Sequence, residues 1–400
     1  ATPHYVGTPI HIPFEQDPAN PDNVMAPGDN WTIDGHPLSA LTSEQAGTTL
    51  VADPVFVSTP KSFEVTVDGK TTYYIATDYG TLFQYVKSMT KAGKITLYRD
   101  YVLPMYQALT FSQAGTELDL NGHTLSTDYK YGDGLIVAAA DFYLYSSKPG
   151  AMVLTDHPYD AKGDIFVGGG FILGASKGVF TIGRTKDGTT FDRANLTFRG
   201  ACFLTLKANA VVDSVTYINT VGDNYGLIQY WQNDLSVVIK NSDLWLTLNN
   251  KALFAPRVDA ATGGWSATVD GCRIYSGAST FTNSNKASQG KNPPGATITN
   301  SILCFPQPIA YDKNFPIHLG AGVRMNQLNG FLPTDGVKIA RTNGEKVTLD
   351  GNEFTVLYET CNTGDAFTAT IMGGDMTLAS DTWKKGSKPF YRQDAVDTFY

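Results

Sequence analysis

A short pattern recurs along this chain and leaves few folds open to it: apolar, polar, apolar, then two or three turn-forming or polar residues, then apolar again. It stands as Leu118-Asp119-Leu120-Asn121-Gly122-His123-Thr124-Leu125. It returns in Val211-Val212-Asp213-Ser214, Val238-Ile239-Lys240-Asn241-Ser242, Thr268-Val269-Asp270-Gly271-Cys272, Thr297-Ile298-Thr299-Asn300-Ser301, Thr348-Leu349-Asp350-Gly351-Asn352 and Thr370-Ile371-Met372-Gly373-Gly374. Anchored on the second apolar residue, the copies fall at 120, 212, 239, 269, 298, 349 and 371. A less regular copy near Met325 divides the one wide gap, and the C-terminal half then advances by roughly 22 to 30 residues per copy. A period of that size, in strand chemistry, predicts a β-solenoid whose coils each pair only with their neighbours. Five residues after each anchor stand Leu125, Tyr217, Leu244, Ile274, Leu303, Phe354 and Met376. All are apolar, which predicts one inward-facing stack.

The flanks read differently. Nine of the 20 prolines fall in the first 60 residues, and proline interrupts ladders, so residues 1–76 are expected to form a Pro-rich, loop-rich arm or cap. Leu82, Val86 and Met89 then recur at helical spacing with Gly93 as a stop, predicting a short amphipathic helix over residues 80–92. Residues 77–380 are assigned to the solenoid. Residues 381–400 form a tail rich in Trp383, Phe390, Tyr391, Phe399 and Tyr400, too short for a core of its own, and these five are candidate assembly contacts.

Ile95-Thr96-Leu97 followed by Glu117-Leu118-Asp119-Leu120-Asn121-Gly122-His123-Thr124-Leu125 resembles the first coils of right-handed parallel β-helix proteins of the pectin-lyase-like class. The resemblance covers about residues 77–380 and implies an all-β, right-handed parallel β-helix with a capping helix before the first coil. That class includes polysaccharide lyases, glycoside hydrolases, adhesins, phage tailspikes and surface structural proteins, so it specifies a fold and selects no chemistry.

Composition narrows the partners. Lys plus Arg is 30 and Asp plus Glu is 38, a formal net charge of −8, which argues against nucleic acid or an anionic membrane surface. The longest apolar run, Leu135 to Ala140, is far short of the roughly 20 residues of a spanning helix, so no membrane span is expected. The sequence opens Ala1-Thr2-Pro3-His4 without a basic or apolar leader, as expected of a mature secreted or cell-surface protein. Cys202, Cys272, Cys304 and Cys361 lack CxxC spacing and nearby histidines, so neither a metal nor another cofactor is expected. A Cys272–Cys304 disulfide is disfavoured, because the two sit three positions apart in the repeat.

Chemistry is sparse. The Asn-Thr-Asp, Asp-Asp, Gly-His-Gly and Arg-Ile-Lys signatures of polygalacturonase-type enzymes are absent, as is the Arg-x-Pro-x-x-Arg element of classical pectate lyases. One residue after each anchor runs a polar column of Asn121, Asp213, Lys240, Asp270, Thr299 and Asp350. Lys240 between Asp213 and Asp270 has two readings: the base of a lyase acting next to a uronate carboxyl group, or a charge ladder that keeps like charges apart. We expect the ladder. Trp245 and Tyr275, expected to point outward, together with Trp231 and Trp265 in the preceding loops, are candidate sugar- or protein-binding aromatics, with packing under the long loops as the alternative. Two functions follow: a self-assembling extracellular β-solenoid, whose partners are copies of itself in a surface layer, sheath or filament, or an adhesin; and a secreted polysaccharide lyase or glycoside hydrolase working in a groove along the helix.

Overall fold

The computed structural model describes residues 14–27, 56–75, 79–104, 108–127, 135–154, 178–200, 203–219, 227–230, 234–246, 265–276 and 295–304, with Gln232, and individual strands elsewhere as far as Leu378. Strand after strand lies parallel to the strand one coil earlier, and the chain winds a β-solenoid with three sheets. The first sheet takes Lys94–Leu97, Thr116–Asp119, Phe142–Tyr145, Val179–Ile182, Asn209–Asp213, Leu235–Lys240, Trp265–Asp270, Gly295–Thr299 and Ile317–Leu319, in that order. The second runs from Tyr101–Leu103 through Thr216–Asn219, Asp243–Leu246 and Arg273–Ser276 to Asn352–Val356. The third side carries short strands such as Leu204–Leu206, Ile228–Tyr230 and Ala252–Pro256.

Stacking in register follows from the alternation of side chains. In the first sheet Ile95, Leu118, Leu144, Ile182, Val212, Ile239, Val269, Ile298 and Leu319 stand in one column, so a coil takes from 21 residues (298 to 319) to 38 (144 to 182). In the second sheet Leu125, Val153, Phe198, Tyr217, Leu244, Ile274 and Leu303 form the expected inward stack, all buried. Its continuation is Met325 and then Val356, so Val356 takes the place expected of Phe354. The same slip of two occurs at the first copy, where Leu118 and not Leu120 aligns with Val212. A strand alternates with period two, so a slip of two leaves every side chain on its face and is invisible to a pattern of apolar positions.

Two repeat copies are not coils. The pattern at 349 spans an antiparallel pair, Lys346–Leu349 with Asn352–Val356, and the pattern at 371 another, Phe367–Ile371 with Gly374–Leu378. Asp-Gly and Met-Gly-Gly serve a hairpin as well as a coil corner, which is why the spacing alone extends the solenoid too far.

At the other end, part of the Pro-rich arm forms the cap. Phe63–Val67 pairs antiparallel with the first coil strand Lys94–Leu97 and turns back as Lys70–Tyr74, so the first sheet ends in an antiparallel hairpin. The helix is Tyr79–Ser88, shorter than the expected 80–92; it ends where the Ser88 hydroxyl donates to the Tyr85 carbonyl. Leu82 and Val86 are its buried residues, and the helix packs on Tyr101–Leu103 and Leu109–Phe111. A Cβ at Gly93 would lie 2.7 Å from Val67 Cγ2 and 2.8 Å from the Thr66 carbonyl, so only glycine lets the chain pass under the hairpin. Before it, Glu15–Gln16, Asn23–Pro27 and Phe56–Pro60 form a small antiparallel sheet.

Candidate functional site

The polar column lies where each coil turns from the first sheet into the second. The bend needs a left-handed residue, and Ser214, Asn241, Gly271 and Asn300 supply it with φ of 56°, 48°, 65° and 48°. Immediately before the bend, Asp213, Lys240, Asp270 and Thr299 stand side by side in the strand register. The sequence therefore places Lys240 correctly between two carboxylates. Asn121 does not belong to the column; Asp119, between Thr96 and Tyr145 in the register, holds the place expected of it, and Asp350 lies outside the described residues.

The carboxylates are engaged by the bend itself. Asp213 Oδ1 accepts from Ser214 Oγ at 2.9 Å and from Asn241 Nδ2 of the next coil at 3.1 Å. Asp270 Oδ1 accepts from Thr299 Oγ1 at 2.6 Å and from Asn300 Nδ2 at 2.8 Å, again one coil on. Those two bonds, Thr299 first, hold the Asp270 carboxyl below the ordinary range, and the charge of Lys240 is the smallest of the influences acting on it. Asp119 Oδ1 accepts the amides of Asn121 and Ser147 in the same way. On the inner side of the bend Ser242 Oγ takes the Val215 amide and Ser301 Oγ the Cys272 amide, each hydroxyl satisfying the coil before it. Cys272 is a buried free thiol, pushed up to about 12 by burial, so no bond joins it to Cys304.

A second charged group sits just past the bend and has no signal in the repeat. Asp243, fully buried, accepts from Arg273 Nε at 2.5 Å and Nη2 at 2.8 Å in a bidentate pair, and from Arg193 Nη1 at 2.8 Å. Arg273 is its neighbour in the ladder, whereas Arg193 arrives from the turn leading to Leu196–Gly200 and straps that turn to the second sheet. Only the three-dimensional stacking brings the 193 and 243 positions together.

Of the four aromatic candidates, the two whose side chains are described, Trp245 and Trp265, are buried. Trp245, expected outward and exposed, is 1% exposed, and its ladder neighbour Ile218 is equally buried, so the outer side of the second sheet is covered there. Trp265 begins a strand whose alternate residues Ala267 and Val269 are buried; it is 3% exposed and lies 6.2 Å from the Tyr230 ring. Packing, the alternative reading for these aromatics, describes both. Tyr275 stands beside Trp245 in the register. Trp231, Trp383, Phe390, Tyr391, Phe399 and Tyr400 lie outside the described residues. Among the described residues no group of three or more His, Cys, Asp or Glu side chains could hold a metal ion, and no helix is long and apolar enough to cross a membrane.

No family model, no curated protein and no solved structure matches this chain.

Proposed function

We propose that this chain is a structural β-solenoid of an extracellular or cell-surface assembly, with copies of itself as its partners, and not a polysaccharide lyase or hydrolase. The observation that carries the reading is the use already made of its candidate chemical groups. Asp213 and Asp270 serve the bend through bonds from Asn241, Thr299 and Asn300. A lyase base needs a partner free to receive and release a proton at the substrate, and carboxylates whose Oδ1 is already bonded by a neighbouring coil are poor ones. Trp245 and Trp265, the described members of the aromatic set, are packed into the protein, which removes them as a sugar-stacking platform. What remains is a long stacked scaffold, and a stacked scaffold exposes strand edges that another copy can extend.

The test compares the purified wild-type chain with a chain lacking residues 381–400, by negative-stain microscopy and gel filtration, alongside a panel of acidic polysaccharides followed by ultraviolet absorbance. Ordered polymers in the wild type, lost on truncation while the β-sheet circular dichroism survives, are the expected result. A strictly monomeric wild type that generates unsaturated sugar product, abolished by Lys240→Ala at unchanged melting temperature, would overturn the proposal in favour of the lyase.

A further inference from the structure

Lys61 is one of the residues that join the small N-terminal sheet to the capped end of the solenoid. Lys61 links strand Phe56–Pro60 to strand Phe63–Val67, and its side chain is 1% exposed. Its Nζ lies 2.8 Å from Glu64 Oε2 and 3.2 Å from Gln16 Oε1. The Tyr98 ring closes over the amine at 3.8 Å and Tyr73 flanks it at 5.4 Å. Glu64, 20% exposed, also accepts from the Tyr98 hydroxyl, whose ionisation is pushed up by burial and then by the Glu64 charge. The carboxamide opposite is held just as closely: Gln16 Nε2 points at the backbone carbonyl oxygens of Asn23, Pro21, Asp17 and Asn20, at 3.0, 3.1, 3.3 and 3.4 Å. A buried amine flanked by two aromatic rings, a partly buried acid and an exposed carboxamide thus meet, and four carbonyl oxygens lie within 3.4 Å of the one atom that would leave.

We propose that Lys61 and Gln16 join in an intramolecular isopeptide bond, with Glu64 carrying the proton. In the first step Glu64 Oε2 takes a proton from the Lys61 ammonium across the 2.8 Å that separates them, which leaves the Nζ lone pair free. The Lys61 Nζ lone pair attacks Gln16 Cδ, and the carbonyl electrons move to Oε1. The C–N bond to Nε2 then breaks as the carbonyl re-forms. Nε2 takes up one proton from Nζ and one from Glu64, leaving as ammonium while Glu64 returns to carboxylate. A carboxamide and an ammonium ion become a secondary amide and an ammonium ion; nothing is oxidised or reduced, and no co-reactant is required. The four carbonyl oxygens stabilise the positive charge as it develops on Nε2, and fixed placement of both partners supplies the effective concentration that free amides lack. The product bridges positions 16 and 61, tying the first strand of the small sheet to the strand that caps the solenoid.

The experiment is intact-mass measurement of the denatured full chain, followed by tandem mass spectrometry of its digest. The wild type is expected to be lighter than its sequence by one ammonia, with that loss located in a branched peptide holding both Gln16 and Lys61. Gln16→Ala should restore the full mass. Glu64→Ala should slow bond formation by about 100-fold, as loss of a positioned proton carrier does. A wild type at full sequence mass, or an ammonia loss that maps elsewhere, such as Asn121-Gly122, overturns the bond; undiminished bonding in Glu64→Ala overturns the role of Glu64.

Discussion

An aspartate placed at position 274 would stand between Leu244 and Leu303 in the interior column of the second sheet, and neither of those side chains offers a hydrogen-bond donor to meet it. Burying a lone carboxylate, or protonating it to avoid the charge, costs several kcal/mol, so Ile274→Asp should lower the unfolding free energy by about 4 kcal/mol in urea titration. A melting curve like that of the wild type would contradict the placement of Ile274. At Asp270 the sign is set by hydrogen bonds given to the ionised form. Its folded pKa is depressed, so its stabilising contribution is present above the unfolded value of about 3.9 and fades as pH falls through the folded one. Asn300→Ala removes one donor and should move the Asp270 titration, read by carboxyl NMR, back up towards the ordinary range. Leu125, Tyr217, Leu244, Ile274 and Leu303 of the interior column were legible because burial writes itself as apolar identity. The Arg193–Asp243–Arg273 clamp was not, since two of its members lie 50 residues apart and nothing in the repeat marks the turn that carries Arg193.

At the scale of the element, the bend between the first two sheets decides which residues are irreplaceable. Gly183 leaves its strand one position earlier than the following coils do, with φ of 87°, and a Cβ there would fall against the Asp213 carbonyl oxygen of the next coil. Gly183→Ala combines a left-handed backbone with an overlap against rigid main chain, and should cost about 3 kcal/mol by thermal or urea denaturation. A neutral outcome would mean that the two coils are not stacked this closely. Bends of this kind explain what the repeat revealed and what it concealed. Where turn residues follow the anchor at once, as at 212, 239, 269 and 298, the coil was found; at Leu144 and Ile182 long connections of 8 and 15 residues separate the anchor from its partner in the second sheet, Val153 or Phe198, and the pattern did not register. The antiparallel hairpins near the C-terminal end, conversely, imitated the pattern because turn chemistry does not distinguish a corner from a reversal.

Across the whole molecule, stability passes from coil to neighbouring coil, and the open edge of the first sheet is closed by the hairpin Phe63–Val67 and Lys70–Tyr74. Removing residues 1–75 would uncover the edge of Lys94–Leu97, an unpaired strand bearing Ile95 and Leu97, and should turn a well-behaved protein into one that aggregates without order, as measured by light scattering. Unchanged scattering would show that the hairpin is dispensable as a cap. The arm was read as loop-rich from its prolines, yet Phe63 to Tyr74 contains none, and its alternation of apolar and polar residues was the available signal for a strand pair. The hairpin also has a consequence in time. It precedes every coil in the chain, so it leaves the ribosome first, and each later strand emerges to find the strand it must pair with already in place. Synthesis and stacking run in the same direction, and the nascent solenoid has only one growing end to protect.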